Sequence, residues 1–103
     1  ETFTGILGGY HRETDANVTV GTSDYSCFIY NQTADRTITL PDAGSFPNRV
    51  IVIGQRAGTS YTVNLSASIY PGGASGGIST ITGNKIYTLQ SDGIRWQIIG
   101  ETP

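Results

Sequence analysis

The sequence has one cysteine, one histidine, one lysine and no methionine. A lone cysteine rules out an internal disulfide. Cys27 lies in the apolar run CFIY and reads as a small buried apolar side chain. A single histidine without a cysteine pair cannot build a zinc site within one chain. Only three copies of His11, meeting on a threefold axis, could hold an ion, and no cofactor is expected. Charged residues make up 14% of the chain, and the formal net charge is −2. The six basic residues are scattered, so no basic stripe is available to neutralise phosphates. This argues against nucleic acid and acidic membrane as partners. No apolar run approaches the roughly 20 residues of a membrane span, and no signal-peptide pattern is present, so no membrane insertion is expected. No nucleophile elbow appears. The glycine cluster GGASGG (72–77) lacks the Lys-Ser/Thr of a phosphate loop.

What the chain has in quantity is β-forming residues. Ile, Val, Thr, Tyr, Phe and Trp number 41, whereas Ala, Leu, Met, Glu and Lys number 14. Branched and aromatic side chains suit a pleated, half-buried surface. Short apolar runs recur between turn residues, the rhythm of a sandwich or small barrel. The expected fold is an antiparallel β-sandwich, jelly-roll-like, with strands near 17–20, 25–31, 36–40, 49–55, 61–65, 79–82, 86–90 and 94–100. Residues 1–16, with Gly5, Gly8 and Gly9 and no clear period, read as an entry segment or linker from something upstream. Residues 17–103 read as one domain. The segment RAGTS (56–60) suggests a hairpin between two strands. Ser91-Asp92-Gly93 suggests another, with Gly93 in a left-handed position. Strict alternation after it places Ile94, Trp96 and Ile98 on one face, which makes Trp96 a core residue. Asp15, Asp24, Asp35, Asp42 and Asp92 all fall at expected turns, where turn chemistry explains them better than acid–base catalysis. Three N-x-Ser/Thr sequons, at Asn17, Asn31 and Asn64, matter only in a glycosylating secretory pathway.

Three stretches in order, TITLPDAG, NRVIVIGQRAGTSYTVNL and ITGNKIYTLQSDGIRWQIIG, resemble a small β domain of bacteriophage tail fibres and tail spikes. In those domains a Thr-Leu-Pro strand end precedes a Gly- or Asn-led apolar strand, and a Ser-Asp-Gly turn leads to Trp in the final strand. The resemblance covers roughly Val18 to Gly100. It implies a homotrimer at the distal tip of a fibre or spike on the virion, joined to an upstream shaft. It implies a non-enzymatic, adhesive role toward a bacterial cell-surface polysaccharide or outer-surface protein, or a cap that organises the trimer without a ligand of its own. No catalytic residue is implied.

Sugars are bound by aromatic faces flanked by polar groups, which directs attention to Tyr10, Tyr61, Tyr70 and Tyr87. Tyr70 stands out because it borders the glycine-rich segment. A second apolar surface is also expected. Ile51 and Ile53 alternate with Val50 and Val52, and Ile99 faces away from Trp96, so one core cannot bury them all. Closed symmetry would cover the surplus.

Overall fold

The computed structural model describes residues 10–22, 24–57, 61–71 and 76–102. The described residues are all-β, with nine strands: β1 (Tyr10–Thr14), β2 (Val18–Thr19), β3 (Asp24–Tyr30), β4 (Arg36–Thr39), β5 (Val50–Arg56), β6 (Val63–Pro71), β7 (Ile78–Ile81), β8 (Ile86–Ser91) and β9 (Trp96–Thr102). A single 3-10 turn, Ala43–Ser45, interrupts them, capped by the Asp42 side chain. The strands form one curled sheet in the order β1-β3-β5-β8-β9-β6-β4-β2, with β7 on β6.

The sheet is mixed, which corrects the antiparallel expectation. β1, β3 and β5 are parallel neighbours on one flank. β2, β4 and β6 are parallel neighbours on the other. The first six strands therefore alternate between flanks, and the chain winds round its core. β8 and β9 then close the far side. β8 runs antiparallel to β5 and to β9, and β9 runs parallel to β6.

The physical reason lies in the corners. Asn31 and Ala57 adopt left-handed backbones, φ 59° and 51°, at the ends of β3 and β5. The chain turns there toward the opposite flank, not back along its own strand. The hairpin expected at 56–60 is not formed, since β5 pairs with β3 and β8 and not with β6; residues 58–60 lie outside the described residues. The corners are stitched rung to rung. Asp15 accepts hydrogen bonds from Arg36 Nε at 2.9 Å and Thr33 Oγ1 at 2.7 Å. Asp35 accepts one from the Thr62 N–H at 2.9 Å.

Within the stretch expected as an entry segment, Tyr10–Thr14 is an ordered edge strand on β3. The open mouth of the curl lies between β1 and β2. Arg12 bridges it, donating to the Thr19 carbonyl at 2.7 Å and to Asp24 Oδ2 at 2.8 Å.

Inward side chains from both flanks meet in one cluster. Cys27, Ile29, Ile51 and Ile53 face Val18, Ile38, Val63, Leu65 and Ile69 across the core, with Leu89, Tyr87 and Trp96 from the closing strands. Burial pushes the Cys27 thiol pKa up, which keeps it protonated and inert. One end of the core carries a polar plug that alternation alone does not reveal. The fully buried Gln55 donates to Gln32 Oε1 at 2.8 Å and to the Tyr61 carbonyl at 2.6 Å, and accepts from the Asn84 N–H at 2.9 Å. These bonds satisfy the buried amide.

Candidate functional site

A groove of mixed chemistry lies at the other end, where the Pro41–Ala43 segment, β6 and the β8–β9 turn converge. It has a volume of about 430 Å³ and is lined by, among others, Asp42, Ser66, Ser68, Tyr70, Ile94 and Arg95, with Trp96 at its base. The local sequence explains how these side chains arrive there. Along β6, Val63, Leu65 and Ile69 turn into the core. Ser66, Ser68 and Tyr70 therefore take the opposite face, two residues apart.

The turn is held by Asp92. Its Oδ1 accepts the N–H groups of Ile94 at 2.9 Å and Arg95 at 2.8 Å, and its Oδ2 accepts from Gln97 at 2.8 Å. Those bonds, led by the Arg95 and Ile94 N–H groups, lower the Asp92 pKa. Gly93 follows at φ 91°, the left-handed position expected of it. Because Asp92 captures the amides of Ile94 and Arg95, the turn runs to Arg95 and β9 begins at Trp96. This corrects the expectation for Ile94, which is 84% exposed at the groove instead of sharing the core face with Trp96.

Trp96 is 2% exposed. Its Nε1–H donates to the Pro41 carbonyl at 2.9 Å, which ties the Pro41–Ala43 segment to β9. Tyr70 is half-buried, with the Arg95 guanidinium 4.3 Å from its ring centroid. Gly77 backs the ring. A Cβ there would lie 3.1 Å from two ring carbons and 2.5 Å from Ser68 Cβ, so only glycine allows this approach. Ser66 Oγ accepts the Leu40 N–H at 2.8 Å and keeps its own hydrogen for another acceptor. Asp42 accepts from Ser45 Oγ at 3.0 Å and the Gly44 N–H at 3.4 Å.

The other tyrosines do not join Tyr70. Tyr87 is 5% exposed and packs in the core, so its ring offers no face to a ligand. Burial raises its pKa. Tyr61 is exposed beside the buried Gln55 plug, away from the groove. Tyr10 is in β1, and its side chain lies outside the described residues. Sequence reasoning missed Asp42 and Arg95 as groove residues. Their only signal was their place in a turn, and it gave no hint that the two turns meet.

A second constellation sits on the outer face of the first flank. His11 Nδ1 is 2.6 Å from Ser26 Oγ, and His11 Nε2 is 3.6 Å from Glu13. The His11 ring meets Phe28 edge-on at 5.0 Å. Arg56 pairs with Glu13 and lies 5.9 Å from the rings of both Phe28 and Tyr30. The residue types match a nucleophile–base–acid set, but the setting does not serve acyl transfer. Ser26 is 7% exposed in the middle of a strand paired on both sides, and Glu13 is taken by Arg56.

No protein-family model matches the chain, and no curated protein or solved structure does either.

Proposed function

We propose that the chain is the adhesive, receptor-binding tip of a bacteriophage tail fibre or tail-like particle, at the distal end of the virion, joined to an upstream shaft. It binds without catalysis, and its ligand is a bacterial surface glycan held in the Tyr70 groove. The observation that carries this reading is the groove itself. An aromatic ring is held beside a cation, a carboxylate and two hydroxyls in a concavity large enough for a sugar residue or two. The order of Thr-Leu-Pro, the Asn-led apolar strand and Ser-Asp-Gly before Trp supports it. An outer-surface protein as ligand is the alternative within this reading. The test is binding of the chain and its Tyr70→Ala variant to an array of bacterial polysaccharides. The expected result is binding by the parent and loss in the variant, with the melting temperature within a few degrees.

A second reading, a structural trimerisation or capping module, is favoured by a different observation. Phe28, Val50 and Val52 are half-buried on the outer face of the first flank, half-buried Ile86 lies beside them on β8, and Ile99 is 56% exposed. Both readings share an assembly, a threefold homotrimer that covers this apolar face. The two flanks of each curled sheet then act as the facing layers of a jelly-roll-like sandwich. A trimer that binds no bacterial polymer or cell would favour the second reading.

A further inference from the structure

The six basic residues differ in one respect. Arg12 pairs with Asp24, Arg36 with Asp15, Arg56 with Glu13 and Lys85 with Glu101. Arg49 donates to the carbonyls of Gly21 and Asp24 at 2.6 and 2.7 Å. The Arg95 guanidinium alone, among the described residues, has no oxygen within hydrogen-bond or ion-pair distance; it lies over the Tyr70 ring and within electrostatic reach of Asp92. Its backbone is pinned at both ends, the N–H by Asp92 Oδ1 and the carbonyl by the Asp92 N–H at 3.1 Å. Both oxygens of Asp92 accept hydrogen bonds, and each Asp42 oxygen accepts one, which leaves it acceptor capacity for a sugar hydroxyl. A guanidinium lying on an aromatic face keeps its edge free, and that edge is a planar fork of N–H donors matched to a carboxylate.

We infer that the groove takes an acidic glycan, one whose sugar carboxylate pairs bidentately with Arg95 while neighbouring sugar hydroxyls meet Asp42 and Ser66. This rests on the glycan-groove reading and names its ligand class. Asp42 lines the same groove and repels a phosphomonoester dianion more strongly than a singly charged carboxylate. The stack with Tyr70 orders the long Arg95 side chain before the ligand arrives, so less entropy is lost on binding.

The test is an array of polysaccharides bearing uronic or sialic acids, each beside its carboxyl-reduced form, together with neutral and phosphate-bearing polymers. The parent is expected to bind carboxylated members and to lose them on carboxyl reduction. Arg95→Gln should weaken that binding about ten- to a hundredfold. Arg95→Lys should restore only part of it, since an ammonium lacks the fork. Melting temperatures should stay near that of the parent. If neutral or carboxyl-reduced polymers bind as well, survive Arg95→Gln and are lost with Tyr70→Ala, the acidic-ligand inference is overturned and the glycan groove stands. A preference for phosphate-bearing polymers also overturns it. Binding to no polymer at all overturns the glycan reading and this inference together.

Discussion

Trp96 and Tyr70 are neighbours across the β6–β9 region, yet the surrounding side chains give them opposite work. Trp96 buries its ring in the core and spends its one donor on the Pro41 carbonyl. Tyr70 keeps part of its ring at the groove, with Gly77 and Arg95 close to it. Truncating the first removes core volume and frees the Pro41–Ala43 segment. Trp96→Ala should cost about 3–5 kcal/mol, read as a fall in the denaturant midpoint at an unchanged slope. That is a large part of the stability of a domain this size. Truncating Tyr70 removes a half-buried ring and leaves the core packed, so its effect should fall on binding. If Trp96→Ala keeps its stability and abolishes binding, core and site are inverted.

At the scale of elements, the fold depends on its corners. Asp15 joins the first corner to the second through Arg36 and Thr33. The Arg36 hydrogen bond, with Thr33 next, lowers the Asp15 pKa to about 2. A carboxyl held lower when folded than when unfolded adds stability above its ordinary value, and that stability fades as pH falls through the folded value. Asp15→Asn should therefore melt below the parent at pH 5, and the gap should narrow between about pH 4 and pH 2. A gap that is constant across that range would assign the effect to hydrogen bonding and not to charge. Much of this level was legible. Alternation gave the inward residues of β2 and β4; for β5 it gave two apolar faces, and only the fold shows that Ile51 and Ile53 take the core. β8 and β9 form the hairpin that Ser91-Asp92-Gly93 suggested, but Ser91 pairs within β8 and the connection is Asp92–Arg95. The partners were not legible. A period of two says which face a residue takes, but not which strand lies beside it. Asn31 looked like the end of a strand, whereas its left-handed backbone directs the chain to the other flank. The stretch YHRET showed no apolar alternation because it is an edge strand at the mouth, where Arg12 and not a hydrophobe covers the core. Tyr70 could be picked out from the Pro-Gly-Gly that follows it. Asp42 and Arg95 reach it only through the fold.

At the scale of the whole molecule, the described residues put Phe28, Val50 and Val52 half-buried on the outer face of the curled sheet. Phe28 and Ile86 flank Gly54 in one row across β3, β5 and β8, and Val52 lies between Ser26 and Thr88 in the next. Sedimentation equilibrium should give about three times 10.9 kDa, and Val52→Asp should lower that mass. A stable monomer at micromolar concentration would contradict the trimer. The groove opens at the end of the curl formed by Pro41–Ala43, Ile94 and Arg95, not on that outer face, so assembly and recognition can proceed on separate surfaces. The most direct measurement of the binding role is a 1H–15N NMR titration of the chain with the polysaccharide that binds it on the array. Saturable shifts are expected at Asp42, Ser66, Ser68, Tyr70 and Arg95, with the amides around His11, Phe28 and Arg56 unmoved. Shifts confined to the His11–Phe28 face, or none at saturating polysaccharide, would contradict a receptor groove at Tyr70.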